Sequence, residues 1–416
     1  MKGSKFLCLL ASIATAVPLS HAPISYEEHT VSRFVVATEK DAQIIRSLVA
    51  NDELGLDMWT DQVKVGRTVD IRIPPGKNER LAELMSINHS QIIDDVQRLI
   101  DTERTKSKSV FMSFATQGKL TAAQVFSDYH DLSTIVSFIS GLPGTKQISI
   151  GKTFLNTDIP GFVFGSGPRH IVYHGGIHAR EWISPAVATY ITNFLLSDDP
   201  DAVYLRSKFT FTVVPVLNVD GYAYTRSNDR LWRKNREPNT GLFLKCVGTD
   251  PNRNFGYKWG GEGASSNNCA EDFRGKHAFS SAEATAIANY VKSLSNVISY
   301  MDFHAYSQLW MFPYGYTAND KVPDYDTLMT GAQTAVDALQ AVHGTSFQPG
   351  PIAQTIYVAS GSSVDYMYSI GVKYAYTAEL RDTGDNGFML PADQIVPSGE
   401  ETTKGIVALW KYIASQ

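Results

Sequence analysis

The sequence predicts an α/β protein, a mixed central β-sheet flanked by helices, with a small α+β domain ahead of it. Three observations predict this. Residues from about 23 to 108 read strand, helix, strand, strand, helix, strand and a polar helical tail, the order of a split βαβ (ferredoxin-like) unit. Beyond residue 118, apolar runs rich in β-branched and aromatic residues alternate with amphipathic helices, as in a sheet buried on both faces. Between the two lies "DTERTKSKS" (101–109), a polar and basic tract of the kind that links folded units.

Taken in order, the chain begins with Lys2 and Lys5, an apolar run from Phe6 to Val17, Pro18 and the small-residue pattern Ser20-His21-Ala22. This is the shape of a secretory signal cleaved after Ala22, and the run is too short to span a bilayer. The small domain follows: strand "VSRFVVAT" (31–38), helix "DAQIIRSLVAN", strands near 56–60 and 68–74, helix "NERLAELMSI", strand "SQIID" and a polar helical tail. Arg104, Lys106 and Lys108 give the tail an exposed, linker-like end open to proteolysis. The expected organisation is leader 1–22, small domain 23–112 and large domain 113–416. In the large domain "RHIVYHGG", "FTFTVVPVLNV" and "NVISYMDFH" read as buried strands. Ser184-Pro185 reads as the start of a helix with an apolar stripe of Val187, Tyr190, Ile191, Phe194 and Leu195. Ser280 with Glu283, and Ser398 with Glu401, read as capping boxes of two further helices.

Composition narrows the function. The 416-residue chain is 43% hydrophobic with a net charge of −5, which gives no electrostatic case for nucleic acid or an anionic membrane surface as partner. No other stretch is long and apolar enough to anchor it in a membrane. Of three cysteines, Cys8 lies in the leader, leaving Cys246 and Cys269 as a pair expected to form one disulfide in an oxidising compartment. The alternative, two metal thiolates, lacks further closely spaced partners. Asn88-His89-Ser90 is a glycosylation sequon.

The chemistry gathers where strands end. In "HGGIHAREWISP" (174–185), His178 and Glu181 fall in the turn after a buried strand, where ligands gather in open α/β sheets. His304 closes another such strand, in "SYMDFHAY". Two histidines and one carboxylate are the donor set of a catalytic zinc with a fourth position open to water. His174, still inside its strand, reads as a core residue or one that supports the ligands. "LWRKNREPN" and "DPNRN" place Arg233, Asn252 and Arg253 in loops suited to a carboxylate. Glu379, late in the apolar strand of "YTAELRDTG", is a candidate general base, or else a salt-bridge partner of Arg381 or another basic residue.

With "HAREWISP", "RLWRKNR", "DPNRNF", "HAYSQLWMFPYGY", "TIYVASGSSVDY" and "AELRDTG" in this order, nearly the whole chain resembles the secreted zinc metallocarboxypeptidases of the carboxypeptidase A type (M14 family), in proenzyme form and similar to fungal members. The resemblance implies a zymogen whose small domain is an activation prosegment, inhibitory and assisting folding, removed by an activating protease that cuts between Arg104 and about Lys119. It implies one zinc ion per chain on His178, Glu181 and His304, with Asp250 orienting the first histidine. Glu379 becomes the general base, Arg233 the oxyanion donor, and Asn252, Arg253 and Tyr357 the clamp on the terminal carboxylate; Arg180 becomes a subsite arginine. Cys246–Cys269 matches a family disulfide.

Val364 stands where relatives specific for basic residues carry an aspartate, and Ile352, Ala359 and Thr377 match other pocket positions. The implied pocket is apolar, so peptide and protein C-termini ending in aromatic or large aliphatic residues are the expected substrates. Ala305 departs from the serine common in relatives. A monomer is the family's default. Two alternatives remain at this point: a non-catalytic carboxypeptidase-like binding protein, or a zinc amidase on the same fold.

Overall fold

The computed structural model describes residues 22–60, 63–76, 79–114, 120–239 and 246–416. The expected leader therefore lies, except for Ala22, outside the described residues.

The small domain has the predicted order: β1 (Thr30–Val35), α1 (Glu39–Val49), β2 (Asp57–Met58), β3 (Thr68–Ile73), α2 (Glu79–Met85) and β4 (His89–Ile93). Its antiparallel sheet runs β2-β3-β1-β4. Alternation along β3 sends Val69, Ile71 and Ile73 into a core with Phe34, Ile45, Leu48 and Leu84, beneath the helices. The intervening Asp70 reaches Tyr306 of the large domain instead.

Helix α3 (Val96–Phe114) corrects the reading of 101–109 as an open linker. Glu, Arg and Lys are good helix formers, and the helix is held in place where Glu103 takes a bidentate grip from Arg230, 2.7 and 3.0 Å. The expected boundary at 112/113 lies within this helix, and the end of the expected cleavage window, 115–119, lies outside the described residues.

The large domain opens with α4 (Ala122–Val125), α5 (Leu132–Ser140), β5 (Lys146–Lys152), β6 (Asp158–Gly165), β7 (Arg169–His174) and α6 (Ile183–Leu195). It continues through α7 (Pro200–Lys208), β8 (Phe209–Val214), α8 (Val219–Ser227), α9 (Ala282–Ser293), β9 (Val297–Ala305) and β10 (Leu309–Phe312). It ends with α10 (Tyr325–His343), β11 (Gln348–Pro351), α11 (Ile352–Thr355), α12 (Ser363–Ser369), β12 (Tyr374–Leu380) and α13 (Ile395–Ser415). These strands form one mixed sheet, β11-β10-β12-β9-β7-β8-β6-β5, whose inner four strands are parallel.

Both faces of that sheet are covered, which is why the strands read as near-continuous apolar runs. Ile171, Tyr173, Phe211, Met301 and Phe303 pack into one core with α6 and α13. Val172, Val214, Tyr300 and Met311 pack into another with α9 and α12. The chain leaves β7 for β8 on one side and returns to β9 on the other, so the crevice beyond β7 and β9 is a topological switch point, where open α/β sheets bind ligands.

Three helix starts differ from expectation. Helix α6 begins at Ile183, and Ser184 lies in its first turn, accepting from Gly176 N at 3.0 Å and donating to Glu181 O at 2.9 Å. A loop that needs its polar groups tied down thus takes the hydroxyl that would have capped the helix. For α9 the cap is Ser281 rather than Ser280, whose hydroxyl binds Asn254. Ser398 and Glu401 lie inside α13, and Glu401 pairs with Arg381 at 2.6 Å. Arg381 is further engaged by Gln394 and Thr345.

Trp410 of α13 is fully buried against Tyr173 and Phe211, with ring centroids 5.7 and 5.1 Å away. Trp410→Ala is expected to cost about 3–5 kcal/mol of stability, read from urea unfolding; a loss below about 1 kcal/mol would mean that this helix does not anchor the sheet.

Candidate active site and metal centre

The turn after β7 depends on its glycines. Gly176 has φ +64°, and a Cβ on Gly175 would stand 2.6 Å from the backbone of Ser184. This close approach of turn to helix brings His178 and Glu181 to the mouth of the switch-point crevice. His304, at the end of β9, lies in register beside Glu379 of β12.

The three residues meet. One potential donor atom from each of His178, Glu181 and His304 lies within 4.8 Å of the others, all buried. Nδ1 of His178 is 2.8 Å from Glu181 Oε1, Nδ1 of His304 is 3.1 Å from Glu181 Oε2, and the two Nδ1 atoms are 3.1 Å apart. The Nδ1 atoms therefore face a common point and the Nε2 atoms face away. Two imidazoles and a carboxylate converging in this way fit a zinc ion with a position left for water.

His178 Nε2 faces Asp250 Oδ1 at 3.2 Å. The other oxygen of Asp250 accepts from Arg233 Nε and Nη2 at 3.2 and 3.0 Å, with Arg253 Nη1 at 3.9 Å. Burial would raise the pKa of this carboxyl, but Arg233, His178 and Arg253 outweigh it and hold it well below the usual carboxylate range. Arg233 reaches on towards Glu181, 4.0 Å away. Asn252 accepts from Ser363 N at 2.8 Å and turns its amide nitrogen to His304 Nε2, 3.2 Å away. Arg253 lies over the Tyr357 ring, 5.6 Å from its centroid.

A cavity of about 300 Å³ collects His178, Glu181, Arg233, Tyr357 and Glu379 on its floor and walls. Val364 is not on its wall; it is buried at the start of α12 in an apolar cluster with Ile352 and Met311. Ala359 and Thr377 are buried as well. His174 is fully buried outside the triad, with Nε2 2.5 Å from Tyr300 OH. Cys246 and Cys269 are disulfide-bonded, and Asn88 is exposed before β4.

Part of the cavity wall comes from the small domain, which motif reasoning could not reach. Arg33, Trp59, Lys64, Arg67 and Asp70 complete the enclosure. Trp59 packs on Phe388, which packs in turn on Tyr306. Asp70 takes a bidentate grip from Arg33, which also donates to Thr383 O at 2.7 Å. Asp57 pairs with Arg180 at 3.2 Å and Arg72 at 3.4 Å. Asp302, also missed, lies two residues before His304 on the same face of β9, a period-2 signal that "SYMDFHAY" carried.

Comparison with known proteins gives two family matches: residues 142–405 fit the zinc carboxypeptidase model, and residues 33–103 fit the carboxypeptidase activation peptide model. The chain is 37% identical to carboxypeptidase A2 of Mus musculus over 388 residues, covering 90% of this chain and 91% of that one. It is 36% identical to metallocarboxypeptidase A of Trichophyton tonsurans over 427 residues, covering 97% of each. The crystal structure of thrombin activatable fibrinolysis inhibitor (TAFI) superposes with a TM-score of 0.84 at 27% identity, over 94% of this chain and 100% of that one.

The Asp57–Arg180 pair holds β2 over the cavity. Burial would raise the pKa of Asp57, but Arg180 and Arg72 outweigh it and the pKa is lowered. The clamp is therefore at full strength above the value of a free aspartate, about 3.9, and is lost as pH falls through the lower folded value. Breaking a buried pair costs about 3–5 kcal/mol. In Asp57→Asn, hydrogen exchange at the Trp59 amide should rise at least about 10-fold over wild type at neutral pH and lose its acid-triggered step; equal rates would show that this pair does not hold the roof.

Proposed function

The chain belongs to the zinc carboxypeptidase family, and from that premise we propose how its own residues carry out the reaction and which substrates they take. The protein is a zinc-dependent exopeptidase that removes C-terminal residues and is made as a zymogen with an activation peptide. The convergence of His178, Glu181 and His304, the first two lining one cavity together with Glu379 and Arg233, is the observation that supports the residue assignments.

One zinc ion per chain would be held by His178 Nδ1, Glu181 and His304 Nδ1. When bound, it supplies Lewis acidity, acidifying a water from its ordinary pKa of 15.7 towards about 7 and polarising the scissile carbonyl. Glu379 takes the proton from the attacking water at its carboxylate and returns it to the leaving amine. Arg233, fixed by Asp250, donates to the oxygen on which charge develops. Asn252, Arg253 and Tyr357 hold the terminal carboxylate, which confines cleavage to the last peptide bond. Arg180 serves an outer subsite and is released to do so when Asp57 leaves.

The apolar character of Val364 and Ile352, which are buried behind the cavity rather than on its wall, supports a preference for aromatic or large aliphatic C-terminal residues, since a lysine or arginine side chain would meet no counter-charge from these positions. Secretion is supported by the N-terminal leader pattern and the disulfide. Among the described residues no helix is long and apolar enough to cross a membrane. We take the activating cut to fall between Arg104 and about Lys119, the protein to act as a monomer, and Asn88 to be available for glycosylation.

After prosegment removal, an N-blocked dipeptide ending in Phe should be hydrolysed faster than one ending in Arg; the reverse order would sink the pocket assignment. A chelator should abolish turnover and zinc restore it. Glu379→Gln is expected to lower kcat by about 10²–10⁴ and Arg233→Ala by about 10²–10³, each with the metal retained. Loss of zinc from either variant would mean that the residue acts on the site's integrity rather than on the reaction.

A further inference from the structure

His304 has a partner on the side away from the metal position. Its Nε2 lies 3.1 Å from Oδ2 of Asp302, which is fully buried. The same oxygen accepts from Ser363 Oγ at 2.6 Å. The other oxygen lies 3.5 Å from His174 Nδ1. Asn252 also touches His304 Nε2, but its own oxygen is occupied by Ser363 N, so it presents an NH₂ group to the ring. Two donors do not satisfy each other. With Nδ1 turned to the metal, the acceptor within reach of the Nε2 proton is Asp302 Oδ2, at ion-pair distance.

The charged partners of the two buried aspartates differ in kind. Asp250 is balanced by Arg233 and Arg253 as well as by His178. Those of Asp302, among the described residues, are the imidazoles of His174 and His304. A fully buried carboxylate with no arginine or lysine beside it is costly, and an imidazole polarised by a cation on its far nitrogen is the partner that best offsets the cost.

We propose that Asp302 is a positioning residue for the metal: it fixes the tautomer and ring plane of His304 and strengthens Nδ1 as a donor, as Asp250 does for His178. Ser363, the first residue of α12, restrains the carboxylate and ties the helix that carries Val364 to a metal ligand. This rests on the assignment of His178, Glu181 and His304 as the zinc site.

The test uses the full-length proenzyme, stripped of metal and titrated with zinc against a chromophoric chelator. Wild type should bind one zinc; if it does not, the ligand assignment itself fails. Given wild-type binding, Asp302→Asn should bind zinc about 10–100-fold more weakly, and the visible spectrum of its cobalt(II) form should change, because the His304 ring is no longer held. Zinc affinity within about 2-fold of wild type would overturn the proposal. So would a wild-type cobalt spectrum with affinity falling only in step with the stability of the metal-free protein. If Asp302→Asn does not fold, Ser363→Ala carries the test: the carboxylate stays but loses its restraint, zinc should leave several-fold faster, and unchanged release would overturn the proposal.

Discussion

One buried carboxylate holds the reaction site together. Asp250 meets His178 with one oxygen and Arg233 with the other, while Arg253 stands within ion-pair range. Each partner is 3% exposed or less, so two guanidinium charges sit out of water beside the carboxylate they share. Such a cluster is stable only when its hydrogen bonds are filled, and filling them sets three directions at once: the metal-facing nitrogen of His178, the donor face of Arg233 and the path of the chain through Asn252. The candidate metal ligand and the groups proposed to meet substrate share one geometric reference.

The sheet supplies a second reference. Because β7, β9 and β12 run parallel and side by side, His304 and Glu379 end their strands at the same level, and the turn after β7 opens onto the same crevice. Residues far apart in sequence are brought together by register. Alternation within β9 then decides which of them face one another: Met301 and Phe303 go to one core, Asp302 and His304 to the other side.

This explains how much could be read beforehand. The strands, their order of alternation with helices and the split βαβ pattern were legible because burial on one or both faces leaves a periodic mark on the sequence. The candidate ligand triad was legible because its members lie at or just beyond strand ends, and the family motifs suggested the remaining roles. Helix starts were less legible. Ser184, Ser280 and Ser398 have the composition of caps, yet each is placed by tertiary context: Ser184 binds a glycine turn, Ser280 binds an asparagine, and Ser398 is buried within α13. The contacts of the small domain were not legible at all. Asp57, Trp59 and Asp70 have no local signature, since their meaning lies in Arg180, Phe388 and Tyr306, more than a hundred residues away.

The anchoring of α3 has a consequence for how the protein is switched on. Glu103 is gripped by Arg230, and Tyr26, Trp59, Asp57 and Arg33 all hold the large domain from positions before it. A cut beyond Glu103 therefore breaks none of these contacts. It changes only the concentration that governs them, from the effective millimolar level of a tethered segment to that of a free fragment in solution. With the proposed cut, scission would be a permission rather than a release: the severed piece would stay seated until dilution, acid or its own digestion removed it, and a dissociation rate would set the delay between cut and activity.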